Sequence, residues 1–349
     1  MKQPISGVLA TTLIIVLAWL VVSLFDFATF TTWTAWLFMA MIPAQILVGV
    51  TWGANPAFAA NLEQPLKGMV MLLFTLAVGC AVAAIGFFSV GGGISPPAPM
   101  LVVYTILTVI VMFWLAIMFG GWPFMNSVKS PIGGGLLMLL ACYGISYLLF
   151  QVFFDFGFMR GAPVYVATLD PGGLFNANSA LAFIVTAIAV LFLLLHFDLW
   201  PLTTVPALMR QPVLGLAWTA LAVAVGGLAM YVGVAVMGMD PMLFMVRVPI
   251  PLIFGTIVVL NMLQNSLFAS LVQPLKGFCN AFVAIVLGSL LAALYGLLAP
   301  LLTGTLATGA PGNDYERWLA SALLGVTFPL LIFFAEYFRL WPFAEKPRT

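Results

Sequence analysis

Four amide side chains give this sequence its best means of handling a solute. Asn261, Gln264 and Asn265 stand at i, i+3 and i+4, which places them on one face if the segment is helical. Asn280 lies a little over one turn into the following apolar run, at a depth similar to Asn265. Gln45 and Gln151 are isolated additions in two other runs. Amides at membrane depth either bond helices to one another, at about 0.6–2 kcal/mol each, or line a path for a solute. On the second reading the six amides are the candidate solute path.

Ionisable groups are scarcer. His196 and Glu336 lie furthest inside apolar runs, both near a run end. His196 suits an interfacial position or a proton relay, and Glu336 can pair with Arg339 three residues on. Lys67 and Lys276 occupy identical pentapeptides; they could bind lipid headgroups or an anionic solute, although a role in setting orientation already accounts for them. With one histidine in the chain, bis-His haem ligation and a multi-His metal site are excluded. Cys80, Cys142 and Cys279 lie in apolar runs without C-x-x-C spacing. H-E-x-x-H, G-x-S-x-G and P-loop motifs are absent. No catalytic residue, metal or cofactor is therefore assigned, and a lipid-modifying enzyme could draw only on interface residues such as His196 and Asp198.

The elements that carry these residues follow from composition. Of 349 residues, 64% are hydrophobic and 6% charged, too few charges to coat a water-facing surface of this size. A soluble enzyme, a disordered chain and a nucleic-acid binder are excluded, leaving a polytopic membrane protein with mean hydropathy +1.20. Apolar runs long enough to cross a bilayer fall at 8–25, 33–51, 67–89, 100–120, 133–154, 179–197, 213–237, 250–269, 276–301 and 318–338. They are continuous rather than alternating and twice as long as barrel strands, so they are helices that satisfy their own backbone. The first run lacks an A-x-A-like cleavage site and reads as a retained span.

Lys and Arg set the orientation. A cytoplasmic N-terminus places Lys2, Lys67, Lys129, Arg210, Lys276, Arg339, Lys346 and Arg348 inside, and only Arg160, Arg247 and Arg317 outside. A bacterial inner membrane with both termini cytoplasmic is the expected setting.

A short motif recurs. Gln64-Pro65-Leu66-Lys67-Gly68 returns identically as Gln273-Pro274-Leu275-Lys276-Gly277, and Gln3-Pro4 and Gln211-Pro212 keep the pattern Q-P-x-x-G. Ser130-Pro131 is a degenerate copy. Each opens an odd-numbered span, where proline in the first turn costs no hydrogen bond and glutamine or serine can reach a free N–H. Gly79, Gly226 and Gly288 follow 11 residues after the motif glycine, on the face suited to close helix contact. Even-numbered spans exit through Trp122-Pro123, Trp200-Pro201 and Trp341-Pro342.

The expected fold is one all-α transmembrane domain over 1–349, with about ten helices in five tandem hairpin-like repeats. Span 1 would complete the fifth hairpin with span 10, bringing the termini together. The expected function is a secondary transporter or permease for a small, weakly charged or apolar solute. The alternatives are a non-catalytic membrane subunit that anchors a partner complex, and a lipid-modifying enzyme. The expected partners are the lipid bilayer, a small-molecule solute, and a protein partner or second copy of the chain.

Overall fold

A computed structural model describes residues 2–309 and 312–344. Among the described residues, ten helices are long and apolar enough to cross a membrane: α1 (Ile5–Ser23), α2 (Phe27–Thr51), α3 (Leu66–Ser89), α4 (Pro99–Met118), α5 (Pro131–Phe153), α6 (Ala177–His196), α7 (Val213–Val236), α8 (Pro241–Met262), α9 (Leu275–Thr303) and α10 (Asp314–Tyr337). The chain is an all-α polytopic membrane protein.

Nine of the ten expected spans lie close to these helices, but α8 starts nine residues before the expected 250. Pro249 and Pro251 look like a break in the sequence. In the structure the segment bends there without ending: Val248 leaves helical geometry (φ −116°, ψ −74°) between Pro241–Arg247 and Pro249–Ile257, while Val248 N–H reaches the Phe244 carbonyl at 2.9 Å and Leu252 N–H the Val248 carbonyl at 3.4 Å. Asp240 caps the true start by accepting from the N–H groups of Met242 and Leu243. Arg247, expected in a loop, is therefore inside α8.

Burial sorts the helices into two sets. In their apolar stretches the even-numbered helices are 61–78% buried and the odd-numbered ones 17–39%. The even helices form a closed inner ring in the order α2, α4, α6, α8, α10, with α10 packing back on α2. Each adjacent pair carries a specific contact. Trp36 Nε1–H donates to Thr105 Oγ1 at 3.0 Å between α2 and α4. Phe113 and Phe192 meet edge to face at 5.1 Å between α4 and α6. His196 Nε2 and Thr256 Oγ1 lie 3.0 Å apart between α6 and α8. The Asn261 amide donates to Glu336 at 2.7 Å between α8 and α10, and the Gln45 amide donates to the Pro329 carbonyl at 2.8 Å between α2 and α10.

The odd helices lie outside this ring. Each sits against the even helix before it and the even helix one further back: α3 on α2 and α10, α5 on α4 and α2, α7 on α6 and α4, α9 on α8 and α6. α1 has no preceding helix, yet it packs on α10 and α8 in the same way. The expected meeting of the two chain ends falls on Met1 and 345–349, outside the described residues, as do Lys346 and Arg348.

The Q-P-x-x-G spacing has a structural reason. In α3, α7 and α9 the motif glutamine accepts from the N–H of the motif glycine at 3.3, 3.2 and 3.1 Å. Its amide N–H donates across to the last carbonyl of an inner helix: Gln64 to Tyr337, Gln211 to Met118 and Gln273 to His196, at 2.6, 2.8 and 3.0 Å. Gln3 reaches the Met262 carbonyl at 3.1 Å. At α5 the exchange runs the other way, with Trp52 Nε1–H on the Pro131 carbonyl at 3.0 Å. The motif glycines leave room for what they face, since a Cβ on Gly68, Gly215 or Gly277 would strike the ring of Phe338, Phe119 or Phe197.

All five inner helices end in the same turn, two consecutive residues of positive φ: Gly53-Ala54, Gly120-Gly121, Asp198-Leu199, Gln264-Asn265 and Arg339-Leu340. The second N–H of each pair folds back onto the helix, for example Gly121 on Leu115 at 2.8 Å and Leu340 on Phe334 at 3.0 Å, which satisfies terminal carbonyls.

Higher up, a Cβ on Gly79 would overlap Met41, one on Gly226 would crowd the Ala187 backbone, and one on Gly288 would overlap the Pro251 carbonyl. Gly144, on the lipid-facing side of α5, has nothing within 4 Å. Gly288→Ala should therefore destabilise the protein by about 1–3 kcal/mol or more through overpacking. Gly144→Ala should be neutral or stabilising by up to about 1 kcal/mol. Thermal unfolding of the two variants in one detergent checks the contrast.

Candidate functional site

The inner ring is hollow for most of its length. Measured from their starts, more than half of each of the five even helices lines a chamber of about 370 Å³. Its lining reaches the residues where those helices start, on the face opposite the Q-P motifs. On α4 the lining runs from Pro99 to Phe113, a depth of about 21 Å at 1.5 Å per residue. Lining positions recur every three or four residues, as Val102, Ile106, Val109 and Phe113 do on α4, so one face of each helix forms the wall. The floor is aromatic: Phe113 meets Phe192 at 5.1 Å and Phe328 at 6.0 Å, both edge to face. Below it, α8 and α10 are tied by the Asn261–Glu336 hydrogen bond.

The roof is the 154–176 connection. Phe154–Asp155 pairs in parallel with Phe175–Asn176, drawing the two ends of this loop together. Asp170 organises its interior. One carboxylate oxygen accepts from the N–H groups of Phe156 and Gly172, each at 3.0 Å, and the other accepts from the Tyr165 hydroxyl at 2.9 Å. Burial pushes the Asp170 carboxyl up. The Phe156 and Gly172 N–H groups, the Tyr165 hydroxyl and nearby Arg160 outweigh it and hold the carboxyl below its ordinary value. At the rim Arg317 is paired with Asp314.

None of the ten side chains singled out by sequence lines this chamber. The four clustered amides do come together, but at the inner end of α8 and not along a helical face. The helix ends at Met262, and Gln264 and Asn265 take φ of 51° and 52° in the turn beyond it. That corrects the i, i+3, i+4 placement: the corner reverses the chain just where the spacing assumed another helical turn. Asn280 donates to Asn265 at 2.5 Å, linking α9 to that corner, and Gln264 is exposed. Asn261 binds Glu336, so the carboxylate takes an amide rather than the expected Arg339. Gln45 is spent on the Pro329 carbonyl, and Gln151 is exposed on α5.

The ionisable candidates hold corners. Lys67 donates to Asn55 at 2.5 Å and Lys276 pairs with Asp198 at 3.1 Å, each clamping an odd helix to the turn after an even one. Burial pushes the Asp198 carboxyl up, but the Gln273 amide and the Lys276 ammonium bring it to a net position below the ordinary carboxylate value. His196 is fully buried between α6 and α8, with Nδ1 unpartnered.

Sequence reasoning missed the chamber wall because lipid and chamber ask for the same side chains. A valine facing a bilayer and a valine facing an apolar cavity are alike to hydropathy. The available signal was the set of bulky rings at one depth on three even helices, Phe113, Phe192 and Phe328.

Comparison with protein-family models, curated proteins and solved structures finds no match. Fold and site together define a polytopic membrane protein with an apolar chamber at the axis of its inner helix ring.

The folded Asp170 carboxyl lies below its unfolded value, so its stabilisation of the roof is complete above the ordinary carboxylate range. It is lost as pH falls through the lower, folded value. Asp170→Asn removes charge-assisted bonds worth about 1.5–3 kcal/mol, less after solvent screening. Amide hydrogen exchange of 156–172 at neutral pH should accelerate on the order of tenfold, and the variant should lose the acid-dependent step that the wild type shows.

Proposed function

We propose that this chain is a secondary transporter or permease for a small apolar solute, with the central chamber as the solute site. The observation that carries this reading is a partly open chamber inside the ring that reaches the helix starts and ends at an aromatic floor. A dead-end cavity of this kind fits one state of an alternating-access cycle. Its volume suits a small molecule, and its wall offers no charged side chain below the rim. No ATP-binding motif is present in the sequence, so a gradient would supply the drive.

The architecture read with it is five tandem hairpin-like repeats, each an even helix preceded or closed by an odd one. What supports this is the recurrence of one corner turn, one glutamine clamp and one pattern of neighbours. Orientation follows the charge bias. Lys2, Lys67, Lys129, Arg210, Lys276 and Arg339 belong to the face of the Q-P motifs, and Arg160, Arg247 and Arg317 to the chamber-mouth half. With the motif face cytoplasmic, as in a bacterial inner membrane, the chamber opens outward. The scaffold alternative would rest on the apolar outer flank of the odd helices, which the bilayer itself accounts for.

Ser321 lies on the chamber wall and is close to cysteine in size. In a background with Cys80, Cys142 and Cys279 replaced, Ser321→Cys should react with a small membrane-impermeant thiol reagent applied at the mouth face. A transporter also exposes it, more slowly, to the same reagent supplied only at the motif face. Labelling from the mouth alone contradicts transport and leaves a binding or anchoring protein.

A further inference from the structure

We propose that the chamber takes a single hydrocarbon chain of a membrane lipid, admitted from the leaflet at its mouth through the 156–164 part of the roof. This rests on the chamber being the solute site and names the class of solute.

The wall chemistry comes first. Below the rim the wall is aliphatic and aromatic carbon apart from Ser321, and the polar lining gathers at the helix starts, where Asn313 Oδ1 and Arg317 Nε are unpartnered. Thr31 and Thr32 donate to the carbonyls of Phe27 and Ala28 at 2.9 and 2.6 Å. Asp170 is filled by two N–H groups and a phenol, and Arg317 binds Asp314 through one terminal nitrogen. A solute with hydrogen-bonding groups would leave them unpaired here, at about 1–3 kcal/mol for each. A hydrocarbon chain gives up nothing.

Shape is the second observation. A lining that runs for about 21 Å along α4 describes an elongated chamber rather than a shallow pocket. Its axis runs along the helices, parallel to the acyl chains of a surrounding bilayer.

The third observation fixes the source. Phe158 and Val164 line the chamber and are 46% and 45% exposed. Beside them Leu174 and Phe175 are 70% and 55% exposed. A loop that turns such side chains outward is at odds with water and at ease in the interfacial layer of a membrane. A loop that lines the chamber with Phe158 and Val164 and also carries exposed Leu174 and Phe175 offers carbon on the way between the chamber and the leaflet.

The test uses the full chain in nanodiscs of phosphatidylcholine carrying a diazirine at the end of one acyl chain. Photolysis and peptide mass spectrometry should place adducts on chamber residues such as Val109, Phe113 and Ile188. They should also appear on lipid-facing residues such as Leu73 and Leu297, which serve as an internal reference. Ile188→Trp, or Val109→Phe if the first does not fold, should remove at least nine-tenths of the chamber adducts and leave the reference adducts unchanged. A second arm presents a free diazirine-bearing fatty alcohol in unlabelled nanodiscs. Chamber adducts from the alcohol but not from the phospholipid overturn the lipid source. Chamber adducts from neither probe overturn the hydrocarbon assignment, and if Ser321→Cys still reacts from both faces the transport reading survives that failure. Chamber adducts from the phospholipid with one-sided Ser321→Cys labelling uphold the hydrocarbon chain and remove transport.

Discussion

A carbonyl at the end of a membrane helix must find a donor without leaving the protein, because the bilayer offers none. Here the donor is the side-chain amide of a glutamine at the start of another helix. Four inner helices give their last carbonyl to such a glutamine. The bond ties the end of an even helix to the start of the odd helix three places further along the chain, counting around the ring from α10 to α1. Because the acceptor belongs to a helix remote in sequence, each clamp also sets which helices are neighbours. Repeated around the axis, it leaves the even helices inside and the odd helices outside.

That constraint explains the glycines and the corner turns together. The glutamine can reach across only if the odd helix starts close against the corner, so the residue four positions on must have no side chain where Phe338, Phe119 or Phe197 lies. The corner must turn the chain within two residues to present its carbonyl, and it does so with paired positive φ even at Asp198, Leu199, Arg339 and Leu340. Non-glycine residues adopt this conformation at a cost of about 1–2 kcal/mol each. The hydrogen bonds that the turn gives to the helix-end carbonyls offset it.

Much of this was legible in the residues. Helix number follows from hydropathy, the odd-helix starts follow from Q-P-x-x-G, and the close contacts follow from glycines at fixed intervals. Span 8 was misplaced because Pro249 and Pro251 resemble a break that ends a span, whereas in the structure they only bend it at Val248 and the helix before them belongs to the same span. The chamber was not legible. Polar residues draw attention as sites, and in this protein the amides and lysines are consumed at corners: Lys67 on Asn55, Lys276 on Asp198, Asn280 on Asn265. The space they frame is walled by side chains that hydropathy cannot tell from lipid-facing ones. An apolar chamber inside an apolar protein leaves almost no mark on composition.

Closure of the inner ring is what makes that space a chamber rather than a cleft, and it depends on α10 returning to α2 from the far end of the chain. Gly325 on α10 faces Ala35 on α2, with a Cβ at position 325 lying 3.4 Å from that of Ala35. This is near the separation that a disulfide requires. Cysteines at these two positions, in a chain lacking Cys80, Cys142 and Cys279, should form an intramolecular disulfide under mild oxidation in native membranes. Failure to crosslink there, or crosslinking only between molecules, would mean that the ring is open and that the account of the chamber is wrong.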